Sequence, residues 1–96
     1  MLDHLENDFE RVEYLQNLLI AQATGGGGVN AEYQHLRQLF IARPELKPLL
    51  PEFVRTKRDL DQFWQFIKFK FSTYQERRQF LWAEFHSLLE YFETTE

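Results

Sequence analysis

Three histidines, His4, His35 and His86, are the side chains of this 96-residue chain best suited to proton transfer, and no cysteine is present to serve as a nucleophile or thiolate ligand. A ribonuclease-type pair would set an Arg and a His closer on one helix than they stand here. Arg78 and His86 enclose seven residues, and Arg77 and His86 eight. An offset of eight residues is roughly 12 Å of helical rise, too far for both groups to act on one phosphate without a second chain. His4 and Asp8 stand four apart and could share a metal, but two ligands make a weak site. Asp59 and Asp61, two apart, cannot face one substrate from one helix; Asp59 is better read as a cap or salt-bridge partner. The run Gly25-Gly26-Gly27-Gly28 would need a following Gly-Lys-Ser/Thr to cradle a phosphate, and Val29-Asn30-Ala31 follows instead. No catalytic residue, cofactor or metal site is predicted.

Charge and rings are more informative than any single residue. Residues 1–13 hold five acids and one base, residues 84–96 four acids and no base, and residues 55–78 seven bases and three acids, within a formal net charge of −4. The seven bases are Arg55, Lys57, Arg58, Lys68, Lys70, Arg77 and Arg78, and they fall among the densest aromatics. Bases interleaved with rings suit a nucleic-acid surface, whereas the negative net charge repels a polyanion at long range. A solvated basic face balanced by the acidic ends is the plainer reading. Between the two lies head-to-tail association, the basic face of one copy against the acidic ends of the next.

The elements that must position these residues read as helices. Leu5, Phe9, Val12, Leu15, Leu19 and Ile20 repeat at three and four, predicting a first helix over 3–23 with Asp3 as cap and Glu6 completing its capping box. The glycines then predict a flexible loop over 24–30. Asn30 is placed to cap a second helix through Tyr33, Leu36, Leu39 and Phe40, ending near Ala42 ahead of Pro44. Three prolines between 44 and 51 allow only a short helical turn. Phe53, Leu60, Phe63, Trp64, Ile67 and Phe71 fit one long helix over 52–71, with a restart available at Asp59. Thr73-Tyr74-Gln75-Glu76 is a capping box for a last helix with Tyr74, Leu81, Phe85, Leu88 and Phe92 on its stripe, running to about Glu93. The expected fold is therefore all-α: a compact bundle of four main helices plus one short helical turn, in a single domain spanning 1–96.

Phe66 and Phe69, and on the last helix Phe80, Trp82 and Tyr91, lie off those stripes. A wide apolar face can still be buried between two neighbouring helices, so core is the favoured reading for each; any ring left outside would form an aromatic patch of the kind found at interfaces. A small cysteine-free domain suits a reducing compartment, so a cytoplasmic protein is expected. The acidic, amphipathic start is unlike a signal peptide, and no window approaches the ~18 apolar residues of a membrane span.

The segments Tyr33-x-x-Leu36-Arg37, Leu50-Pro51-x-Phe53-Val54-Arg55, Asp59-Leu60-x-x-Phe63-Trp64-x-Phe66-Ile67-Lys68 and Tyr74-x-x-Arg77-Arg78-x-Phe80-Leu81 together resemble helical modules at the ends of bacterial abortive-infection (AbiJ N-terminal-like) and related anti-phage defence proteins. The resemblance covers about 33–92, and its distinctive part is Phe63-Trp64-x-Phe66-Ile67-Lys68. It implies an adaptor domain that recruits or oligomerises a partner, such as a nuclease, protease or TIR effector, upon infection. Death-fold-like packing would suit that role, although five helical pieces with one long helix do not match a regular six-helix death domain. The expected function is thus non-catalytic protein–protein interaction, with an effector domain or a second copy as partner. The partner-binding residues expected are Arg55, Lys57, Arg58, Phe66, Lys68, Phe69, Lys70, Arg77, Arg78 and Trp82. The alternative is an RNA- or DNA-binding or ribonuclease-type domain using Arg55, Lys57, Arg58, Arg77 and Arg78.

Overall fold

Caps decide where the helices begin, and they differ from the sequence reading first at the N-terminus. In the computed structural model, which describes residues 2–95, Asn7 rather than Asp3 opens helix α1 (Asp8–Ala23). Its side-chain oxygen accepts from the Glu10 N–H at 2.8 Å, while the Glu10 carboxylate reaches back to the Glu6 N–H at 3.0 Å. Two otherwise unpaired donors are satisfied there by one Asn-x-x-Glu segment, so the residues before Asn7 have no need of helical geometry.

The glycine run ends α1 as an ordered cap. The N–H groups of Gly26 and Gly27 both bond the Ala21 carbonyl, at 2.8 and 3.1 Å, and the Gly28 N–H bonds the Gln22 side chain at 3.1 Å. Gly25 stands at φ +85°, and a Cβ there would meet the Tyr74 hydroxyl at 2.8 Å. At Gly28 a Cβ would press on the Leu18 carbonyl and on Leu60, both at 3.1 Å. Gly25 and Gly28 thus stand close to Tyr74, Leu18 and Leu60, while Gly27 faces open space.

Helix α2 (Asn30–Ile41) and a 3₁₀ turn (Pro44–Leu46) come next. Asn30 does not cap its own helix, because Val29 occupies that position without a side-chain bond.

The helix expected over 52–71 is two helices, α3 (Glu52–Thr56) and α4 (Leu60–Lys70). Breaking a helix frees carbonyls at one end and N–H groups at the other, and here side chains from α2 and from the break itself take up several of them. The Tyr33 hydroxyl donates to the Lys57 carbonyl at 2.6 Å, and Arg37 donates from Nε to Val54 and from Nη2 to Arg55, each at 2.8 Å. On the far side, Asp59 accepts from the Gln62 N–H at 2.8 Å, Gln62 accepts from the Arg58 N–H at 2.8 Å, and Asn30 accepts from the Leu60 N–H at 2.9 Å. Asn30 thus caps α4 from thirty residues away.

Helix α5 (Tyr74–Thr95) starts at the expected capping box: Thr73 Oγ1 accepts from the Glu76 N–H at 3.2 Å and donates to the Glu76 carboxylate at 2.8 Å. Five helices and one 3₁₀ turn make an all-helical bundle with no strand among the described residues. The four main helices and the short turn match the expected architecture; α3 is the added piece.

Helix α5 lies chiefly against α1, and its Leu81, Phe85, Leu88 and Phe92 share one buried core with Val12, Leu15 and Leu19 of α1. A five-residue helix is too short to hold itself together, and α3 is anchored by Phe53. That ring lies 5.5–6.1 Å, centroid to centroid, from Phe63, Phe66, Phe80 and Phe85. Burial of such rings against one another is the main force holding α3, α4 and α5 together.

Candidate interaction surface

The residues read as one basic and aromatic face fall into several separate settings. Lys57 and Lys70 flank a groove of about 260 Å³ between α3, α4 and α5, floored by Phe53, Phe66 and Phe80. Lys57 Nζ lies 5.5 Å from the Phe66 ring centre; Lys70 Nζ lies 5.4, 5.6 and 5.9 Å from Phe80, Phe71 and Phe66. Glu52 and Glu84 also line this groove, so it carries charge of both signs. The second setting is on α4, where Lys68 Nζ lies 5.0 Å from the Phe69 ring and 5.9 Å from Trp64. Such contacts contribute roughly 0.5–1 kcal/mol each when exposed, and they keep the ammonium groups at the surface.

Phe69 is 81% exposed, the most exposed large apolar side chain among the described residues, and Trp82 on α5 is 48% exposed. Phe66, by contrast, is half-buried in the ring cluster around Phe53, as are Phe80 and Phe71. The off-stripe rings therefore divide: Phe66, Phe80 and Tyr91 pack on the core, while Phe69 and Trp82 stand out.

Arg77 is the clearest departure from the expected surface. It is only 7% exposed, and its guanidinium donates from Nε to the Phe71 carbonyl at 3.0 Å and from Nη1 to the Ala23 carbonyl at 2.9 Å. Trp64 and Tyr74 cover it, with ring centres 5.2 and 5.5 Å from Cζ. It joins the end of α1, the end of α4 and the start of α5, and no partner can reach it. Arg78 remains outside beside Gln75. Arg58 is exposed within the α3–α4 break, and Arg55 faces a different groove altogether, shared with Arg37 and Lys47.

The histidines do not converge. His4 packs edge-on against Tyr14 at 5.7 Å, while the carboxylate of Asp8, its supposed metal partner, bonds Arg11 at 2.9 Å and Arg43 at 2.7 Å. His86 pairs with Glu90 on its own helix at 3.2 Å. No group of three His, Asp or Glu side chains gathers at metal-binding distance among the described residues. The shifted acidities have structural causes. Burial pushes the Tyr33 phenol up to about 12, the hydrogen bond to Glu32 raises that of Tyr14, and hydrogen bonds to Asp8 and Glu45 hold Arg43 more firmly protonated. No helix is long and apolar enough to cross a membrane among the described residues.

No protein-family model, curated protein or solved structure matches this chain.

Proposed function

We propose that this chain is a non-catalytic protein-interaction domain, an adaptor or oligomerisation module that recruits or assembles an effector through the ring-and-lysine surface of α4 and α5. The observation that carries this reading is Phe69, left 81% exposed with a lysine laid over it in a chain whose other rings are mostly buried or half-buried. Exposed aromatic side chains are enriched at protein interfaces. The setting in a bacterial anti-phage defence system rests on the resemblance of residues 33–92, and the cytoplasmic location on the lack of cysteine.

A nucleic-acid surface is the second reading, favoured by Lys57, Lys68 and Lys70, none of which has a described carboxylate within 4 Å. Two observations weigh against it. Glu52 and Glu84 line the groove that Lys57 and Lys70 flank, and Arg77 is withdrawn into the interior.

Light scattering behind a sizing column, run across protein concentration and salt with labelled RNA and DNA in parallel, separates the two. Ring-driven association that persists at high salt without nucleic-acid binding is the expected result. A monomer that binds nucleic acid, with affinity falling steeply as salt rises, would overturn the proposal.

A further inference from the structure

We infer that a second copy of this chain docks an acidic, apolar-centred patch into the basic groove between α2, the 3₁₀ turn and α3, so that copies associate head to tail. The groove encloses about 420 Å³ over Ile41, Pro44 and Leu50, and Arg37, Lys47 and Arg55 surround it with no carboxylate in its lining. A fourth base, Arg43, also lines it, but Asp8 and Glu45 take its charge at 2.7 and 2.9 Å. The other three are uncompensated. Arg37 spends Nε and Nη2 on backbone carbonyls, which fix the guanidinium without cancelling its charge. Lys47 and Arg55 are exposed, and no described carboxylate lies within 4 Å of any of the three. In a chain of net charge −4, this is a concentrated positive site with an apolar floor; Ile41 is 40% exposed.

The matching surface lies where α1 meets the second half of α5. There Phe9 and Leu89, both half-buried, lie beside Glu90 and Glu93. Glu93 is exposed and has no described cation within 4 Å, and Glu90 meets only His86 on its own helix. The two surfaces are opposite in sign, each apolar in part, and built from different elements. A contact between them leaves one free groove and one free patch on every pair, so it continues into a ring or a filament. This contact uses neither Phe69 nor Trp82 and stands apart from the surface proposed above.

Sedimentation velocity across concentration at low and high salt tests it. Wild-type protein is expected to associate more strongly at low salt, because opposed charges are least screened there. Lys47→Glu with Arg55→Glu should weaken the low-salt association ~10-fold or more, and Glu90→Lys with Glu93→Lys should do the same. Mixing the two variants in equal amounts should restore it, since each then presents the charge that the other's altered surface needs. Circular dichroism establishes that each variant keeps its helix. If the reversed groove unfolds, Lys47→Gln with Arg55→Gln reads the same contact, and wild-type association by that variant overturns the proposal. Wild-type protein with no salt-dependent association, or a mixture that stays apart, also overturns it. Phe69→Ser with Trp82→Ser should leave the salt-dependent part intact, so that loss of the ring surface and loss of this contact are told apart.

Discussion

Arg77 and Lys70 are both cations laid over aromatic rings, and the structure uses them in opposite ways. Arg77 lies between Trp64 and Tyr74 with backbone carbonyls of Ala23 and Phe71 at 2.9 and 3.0 Å, and is buried. Lys70 lies over Phe66, Phe71 and Phe80 with no carboxylate or carbonyl bonded to its ammonium group, and is exposed. The rings are similar, so they do not decide the outcome. What differs is the supply of acceptors: two helix ends offer free carbonyls beside Arg77, and only a planar, forked donor can satisfy both. Burying a charge is tolerated where hydrogen bonds replace its water, and elsewhere the charge stays outside.

The strongest way to break the comparison is Arg77→Met, which keeps the packing and leaves both carbonyls without their donor. A loss of about 3 kcal/mol in urea unfolding is expected. Arg77→Lys should lose roughly half as much, because one ammonium cannot readily span Ala23 and Phe71. At the α3–α4 break, Tyr33→Phe removes the donor to Lys57 and should cost about 1 kcal/mol at neutral pH. Because the folded Tyr33 phenol titrates near 12 rather than near its ordinary value of 10, the folded state holds its proton longer than the unfolded state. Stability should therefore be fully present below about pH 10 and fall as pH rises towards 12, and Tyr33→Phe should flatten that fall in alkaline unfolding curves. Asn30→Ala, which uncaps α4, should also cost about 1 kcal/mol and should loosen amide protection at Leu60. Lys70→Met should change stability by less than about 0.5 kcal/mol by urea unfolding, while altering what the surface can bind.

Much of the fold was legible locally. The Thr73–Glu76 box, the stop at the glycines and the Leu81, Phe85, Leu88 and Phe92 stripe of α5 are local patterns present in the structure, whereas Tyr74, read on the same stripe, is 49% exposed. The restart at Asp59 was visible too, but nothing near it in sequence shows that it outcompetes a continuous helix; the deciding partners are Tyr33 and Arg37 on α2. Asn30 looks like the cap of its own helix and serves α4 instead, which only tertiary packing can reveal. The candidate surface was less legible. Arg77 and Arg78 are chemically identical neighbours, and 100° of helical rotation turns one toward the carbonyls of Ala23 and Phe71 and the other toward water. Three positions along α4 and two along α5 likewise separate Phe66 and Phe80, which reach Phe53, from Phe69 and Trp82, which do not pack into the core. Arg37 gives no sign of this groove in sequence, because Lys47 and Arg55 stand ten and eighteen residues away and only the fold gathers them beside it.

The most direct test of the central claim, that the exposed rings of α4 and α5 form a protein-binding surface, is light scattering at high salt on wild-type protein and on Phe69→Ser with Trp82→Ser. Wild-type protein that associates, and a variant that keeps its helical content while remaining monomeric, is the result the structure predicts. Equal association by the two, or a variant that unfolds because those rings serve the core, would contradict it.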